Sequence, residues 1–268
     1  MTPPPEPTRE RSTATVALMY HALGGARGPV AGQDPHYTLA ADRFAAHLDL
    51  VGRRSGAGSS ARDWLAGRGH AATILTFDDG HLSNFTLALP LLVEHAARAD
   101  FFVNPGRVGE AGFADWRQLA EMARAGMSIQ SHGWAHRYFT DMTPDALRED
   151  LVRSRRTIED RIGAAVTLLA PPGGRCPARL VDVARECGYT HVLGSQPGRI
   201  GSVRTALLPR MAVTANLDER TLDDWLAGRG LLRPRLRHTA LGLAKRALGD
   251  ARYEWVRARL LGQARGTA

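Results

Sequence analysis

The sequence predicts an α/β fold, an irregular (β/α)7-type barrel followed by a C-terminal helical extension. Short apolar runs alternate with amphipathic stretches along most of the chain, and such alternation calls for parallel strands with helices packed outside. Seven runs have strand character, at 15–20, 73–77, 101–104, 128–131, 167–170, 191–194 and 207–213. The polar residues that follow these runs fall at the same end of each, the carboxyl end, where chemistry gathers in barrels and in open doubly wound sheets alike.

Taken in order, the first run leads into His21 and the second, Ile74, Leu75, Thr76 and Phe77, into Asp78 and Asp79. The third ends at Asn104, and the fourth is followed by His132 and His136. The fifth leads into a Pro-Pro-Gly-Gly turn at 171–174, and the seventh contains Arg210. The clearest helix has Thr143 as its N-cap and Pro144 in the first turn. It carries Leu147, Leu151, Ile158 and Ile162 on one face and stops at Gly163.

At 268 residues, 44% hydrophobic and 23% charged, the composition is that of a soluble globular protein with room for one large domain. No apolar run approaches the ~20 residues that cross a bilayer. Residues 1–13 are Pro-rich and polar, a disordered leader; 14–230 form the barrel, and 231–268 a basic amphipathic helical extension. That extension holds nine basic and two acidic residues, most of the net charge of +8. A nucleic-acid reader carries its charge around its site, so nucleic acid is not an expected partner. No secretory signal is read at the N-terminus, so Cys176 and Cys187 are expected as reduced thiols. The expected location is cytoplasmic, with the tail suited to peripheral contact with an anionic inner membrane face.

Asp78 and Asp79 pose the functional question. Two adjacent carboxylates at a buried strand end are each costly to desolvate, and each raises the pKa of the other. A cation between them removes that penalty. His132 and His136, four apart, can place both imidazoles on one side in a helical turn or tight loop. Two histidines and one carboxylate make a three-ligand metal site with open positions, leaving the second carboxylate as a base. A zincin helix would need Glu where Gly133 stands, and a prenyl-diphosphate motif would need Asp where Leu82 stands. A non-haem iron enzyme using the same donors stays open.

The succession "TFDDG", "ADFFVNPG", "DWRQLAEMARAGMSIQSHGWAH" and "LLAPPGG" resembles the polysaccharide deacetylase (NodB-homology) family, carbohydrate esterase family 4, over roughly residues 14–215. "LMYHAL" and "LLPRMAV" resemble a branch of small bacterial deacetylases tied to exopolysaccharide or glycolipid synthesis. The resemblance implies a barrel of about seven βα units and hydrolysis of an N-acetyl group on an amino sugar of a glycan or lipid-linked sugar. It implies Asp78 as catalytic base and Asp79, His132 and His136 as ligands of a divalent metal, usually Zn2+. A backbone N–H near Gly173 is the expected second oxyanion donor. In two places the pattern departs from the family. The family's Arg that partners the base falls at Ala170, for which Arg210 is the candidate replacement. The late Leu-x-His motif is missing, and His21 is preferred over His191 as general acid, His238 having the wrong context. Trp116 is assigned to structure; Trp134, between the two ligand histidines, is left open to stacking on a sugar. A metal-containing carbohydrate-binding protein without turnover is the second function class.

Overall fold

In the computed structural model, which describes residues 15–25, 33–68, 72–232 and 234–236, the strands are β1 (Val16–Tyr20), β2 (Ala22–Gly24), β3 (Thr38–Ala40), β4 (Thr73–Phe77), β5 (Asp100–Val103), β6 (Ser128–Ser131), β7 (Leu168–Leu169), β8 (His191–Leu193), β9 (Leu207–Leu208) and β10 (Met211–Ala212). Eight of them form one sheet in the order β10-β1-β4-β5-β6-β7-β8-β9, and every pairing is parallel. The two edge strands, β9 and β10, are separated in the chain only by Pro209 and Arg210. Three residue steps span at most ~11 Å, so the sheet must curl until its edges meet. The expected barrel is present.

The single run expected at 207–213 is corrected to two short strands. Leu207 and Leu208 pair with β8, whereas Met211 and Ala212 pair with β1. Pro209 has no N–H to give a ladder, so pairing changes partners there. Arg210 therefore sits in the seam, its N–H donating to the Gln196 carbonyl at 3.2 Å. The pair β2–β3, a separate parallel ribbon, was not read from the sequence.

The helices are α1 (Ala41–Ser55), α2 (Ala61–Leu65), α3 (Leu89–Glu94), α4 (Trp116–Arg124), α5 (Pro144–Ile162), α6 (Leu180–Glu186) and α7 (Glu219–Leu226). Helix α5 has the expected ends: the Thr143 hydroxyl accepts from the Ala146 N–H, and Gly163 closes it at φ 72°. Its buried face is Leu147, Leu151, Ser154 and Ile158. Outside β1 and β4, Phe44 of α1 meets the rings of Tyr20 and Phe77 edge-on, with centroids 5.1 and 5.5 Å apart. Phe77 stacks on Phe101 at 4.8 Å.

Side chains alternate between the two faces of a strand. Phe77 faces α1, while Ile74 joins Ala17, Phe102, Leu168 and Ala170 in the buried cluster inside the curl. The same parity puts Thr76 and Asp78 inside. Asp78 continues the ladder, donating its N–H to the Tyr20 carbonyl at 2.9 Å. Contacts divide the chain into two units, Met1–Arg229, which holds the sheet, and Gly230–Ala268. The leader at 1–13 and nearly all of the extension at 231–268 lie outside the described residues. Cys176 is half-buried, Cys187 buried, and both are free thiols.

Candidate metal centre and active site

The two aspartates share a strand end but not an environment. Asp78 is 3% exposed, and both of its oxygens are taken by Arg210: Oδ1 accepts from Nη1 at 2.7 Å and Oδ2 from Nη2 at 2.8 Å. Arg210 is itself fully buried. Its Nε donates to the Gly194 carbonyl at 2.9 Å, and Nη1 also reaches the Thr76 hydroxyl at 3.2 Å. This two-pronged geometry is the strong form of a carboxylate–guanidinium pair. Burial pushes the Asp78 pKa up, but Arg210 and His132 outweigh it and hold the carboxyl below its ordinary value.

Asp79 leaves the strand through a left-handed backbone at φ 75°, uncommon for a residue with a side chain. Its Oδ1 lies 3.3 Å from His132 Nε2 and 3.2 Å from His136 Nε2, and it is buried without a hydrogen-bond partner. His132 Nδ1 lies 2.8 Å from the Ala170 carbonyl, which can only accept, so the proton sits on Nδ1 and the Nε2 lone pair is free to ligate. His136 reaches the same point from a loop rather than a helix, with φ 57°. Between the two histidines, Gly133 stands at φ 74°. A Cβ there would meet Phe139 at 2.9 Å and the Asp150 carboxylate at 3.0 Å, so only glycine lets this loop close.

These residues fit a divalent ion. The three ligand atoms lie within 4.8 Å of one another. Donors held ~2.0–2.1 Å from a common centre at tetrahedral angles stand ~3.3 Å apart, which is the spacing from the Asp79 carboxylate to each imidazole. The orphaned Oδ1 and the free Nε2 of His132 are the atoms such an ion would satisfy. Burial raises the Asp79 pKa, but contacts with His132, His136 and His81 overcome it and hold the carboxyl well below its ordinary range.

The remaining predicted residues surround this pair. His21 follows β1, stacked on Tyr37 at 4.6 Å, its Nδ1 buried with no partner. Burial lowers its pKa against the opposing pull of Asp79 and Asp78. Gly173 lies at φ 62° in the turn after β7, where a Cβ would come within 2.6 Å of the Tyr138 ring. Ala170 is buried, and its carbonyl orients His132. His191 stands at the opposite end of the sheet, with Nε2 2.9 Å from the Val203 carbonyl. Trp134 is half-buried under the Arg153 guanidinium at 3.6 Å, and its backbone N–H donates to Asp150 Oδ1 at 2.8 Å. Trp116 opens α4.

One site residue was missed. His81, two residues beyond Asp79, is 2% exposed and faces the second carboxylate oxygen, Nε2 to Oδ2, at 3.4 Å. The signal was the Gly80 turn, φ 75°, which brings the next side chain back toward the aspartate.

Residues 67–192 match the family model for polysaccharide deacetylases. That segment belongs to the polysaccharide deacetylase family. Asp78, Asp79, His132, His136 and Gly173 lie within it, whereas His21 and Arg210 lie outside. Among curated relatives, the peptidoglycan-N-acetylglucosamine deacetylase PgdA of Listeria monocytogenes is 32% identical over 122 residues, 42% of this chain and 23% of that one. Chitin deacetylase 1 of Cryptococcus neoformans is 27% identical over 119 residues, 44% and 24% of the two chains. The chain thus spans about a quarter of the length of these two deacetylases. Among solved structures, the Streptococcus pyogenes deacetylase PplD in complex with acetate superposes with a TM-score of 0.71 at 21% identity, covering 80% of this chain and 98% of that one. IcaB from Ammonifex degensii gives 0.66 at 23% identity, covering 81% and 98%. At these identities the likeness is one of fold, the curled (β/α) barrel of the deacetylases.

Proposed function

We propose that this chain is a metal-dependent hydrolase that removes N-acetyl groups from an amino sugar of a glycan. The observation that carries the reading is the division of the aspartate pair, Asp78 to a buried guanidinium and Asp79 to two imidazoles, at the carboxyl end of the barrel. Asp79, His132 and His136 would hold the ion. A divalent ion there, Zn2+ by its preference for nitrogen and carboxylate donors, supplies Lewis acidity toward an acetyl carbonyl and toward water.

The chain's own residues do the rest. Asp78 stands apart from the three ligands and takes the proton of the attacking water, while Arg210 keeps it ionised. The turn at Gly173 offers a backbone N–H to the oxyanion that develops as the carbonyl is attacked. His21, with an unengaged Nδ1 beside both aspartates, carries a proton to the departing amine. The named relatives act on peptidoglycan N-acetylglucosamine and chitin, which supports an N-acetylated glycan as substrate. From the basic tail we extend the proposal to a lipid-linked amino sugar met at the inner, anionic face of a membrane by a cytoplasmic enzyme. Among the described residues no helix is long and apolar enough to cross a membrane.

Metal analysis combined with acetate release from a panel of N-acetylated oligosaccharides tests the reading. About one zinc per chain together with acetate is expected. Bound metal without acetate from any member would replace the hydrolase with a carbohydrate-binding protein.

A further inference from the structure

We infer that His81 is a positioning residue, holding Asp79 in the orientation a metal centre requires; the inference rests on the metal-dependent reading above. A carboxylate that turns freely about its last bond can offer an ion either oxygen or both. Here the two oxygens are differently engaged. Oδ1 faces His132 and His136 at 3.3 and 3.2 Å, and Oδ2 faces His81 Nε2 at 3.4 Å. His81 approaches from the other oxygen and is not one of the three clustered ligands. A proton on its Nε2 occupies Oδ2 and leaves Oδ1 as the single ligand atom.

His81 is built to stay there. It is buried, and its backbone forms an antiparallel bridge with Phe113. The bridge is flanked by the Leu82 N–H on the Gly112 carbonyl at 2.8 Å and the Ala114 N–H on the Gly80 carbonyl at 3.1 Å. The imidazole stacks on Phe113 with centroids 5.1 Å apart and planes 22° from parallel, and Phe113 in turn carries the Arg107 guanidinium at 4.0 Å. The arrangement answers a local need: Asp79 holds a left-handed backbone, a conformation that persists only where its surroundings enforce it. Groups that orient a ligand from behind typically contribute 10–100-fold in metal affinity.

The test is zinc affinity of the full chain, measured by competition with a chromophoric chelator, with the thermal midpoint of the metal-free protein as control. His81→Phe keeps the ring, the volume and the stack on Phe113 but deletes the N–H. We expect it to bind zinc about 10–100-fold more weakly, with an unchanged metal-free midpoint. His81→Gln retains an N–H of similar reach and is expected to recover most of that loss. If His81→Phe does not fold, His81→Leu carries the same expectation. Wild-type affinity in a donor-less variant, or a His81→Gln as weak as His81→Phe, would overturn the inference while leaving the metal site standing. A wild-type chain that binds no zinc would overturn the metal reading, and this inference with it.

Discussion

At the scale of single residues, two adjacent aspartates meet different partners because the backbone turns between them, Asp78 a guanidinium and Asp79 the imidazoles. Asp78 follows the last strand residue, continues its ladder and points into the barrel toward Arg210; Asp79 has turned away toward the imidazoles. Asp78→Asn is therefore expected to keep about one metal per chain and lose turnover by roughly 10²–10⁴-fold, since an amide cannot take a proton. Asp79→Asn is expected to lose the metal, and metal analysis beside acetate release separates the two. Equal loss of activity with metal kept in both would undo the assignment. Arg210→Met should act through Asp78. With the guanidinium gone, burial dominates and the carboxyl is harder to ionise, so the acidic limb of the pH–rate profile moves upward. Uncoupling a buried pair costs about 3–5 kcal/mol of stability, so the profile is to be read well below the variant's melting point. An unmoved limb would take Arg210 out of the site. The pairing of Arg210 with Asp78 was foreseeable from the missing arginine at Ala170 and a buried-strand arginine elsewhere. His81 was not, because a histidine after Asp-Asp-Gly reads as a turn residue until the chain reversal is known.

At the scale of elements, legibility followed how local the determinants are. Helix α5 was readable to both ends because Thr143, Pro144 and Gly163 act on their immediate neighbours. The last strand was not. Its division at Pro209 and Arg210 depends on two different partners, β8 and β1, that meet only when the sheet has curled. The ribbon β2–β3 was invisible for a similar reason, since three-residue strands carry too little alternation to recognise. The docking of α1 on β1 gives a prediction of its own. His47 of α1 is fully buried, with Nδ1 3.3 Å from the Tyr20 hydroxyl. Burial, with help from Arg43, pushes its pKa down to about 4. The folded chain therefore resists protonation that the unfolded chain accepts near pH 6.5. The contribution is fully present above that value and is lost as pH falls through about 4. Urea unfolding at pH 7 and pH 5 should show His47 costing roughly 2 kcal/mol at the lower pH. His47→Gln, which cannot titrate, should lack that part of the slope. The same slope in both proteins would show that His47 does not titrate in this way.

At the scale of the whole molecule, the barrel was legible because the strand–helix alternation recurs along the chain and polar residues follow five of the seven expected runs at the same end, so local misreadings average out. Charge distribution is the other whole-chain property, and it divides as the contacts do. The unit Gly230–Ala268 carries nearly all of the net positive charge, apart from the unit that holds the aspartates. A surplus of seven cations in 38 residues, interleaved with Leu, Val and Tyr at helical spacing, suits an anionic lipid surface. Each cation near such a surface contributes ~1 kcal/mol, so even half of them facing one plane would hold the protein there. The full chain should therefore sediment with vesicles containing phosphatidylserine or phosphatidylglycerol and not with neutral ones. Salt should weaken this binding, since screening over ~10 Å at 0.1 M ionic strength acts on exposed charges first. A chain ending at Arg229 should lose vesicle binding yet take up zinc as the full chain does, because every residue of the site precedes that point. Equal sedimentation with neutral and anionic vesicles, or with neither, would assign the tail to protein packing and return the substrate to a soluble glycan.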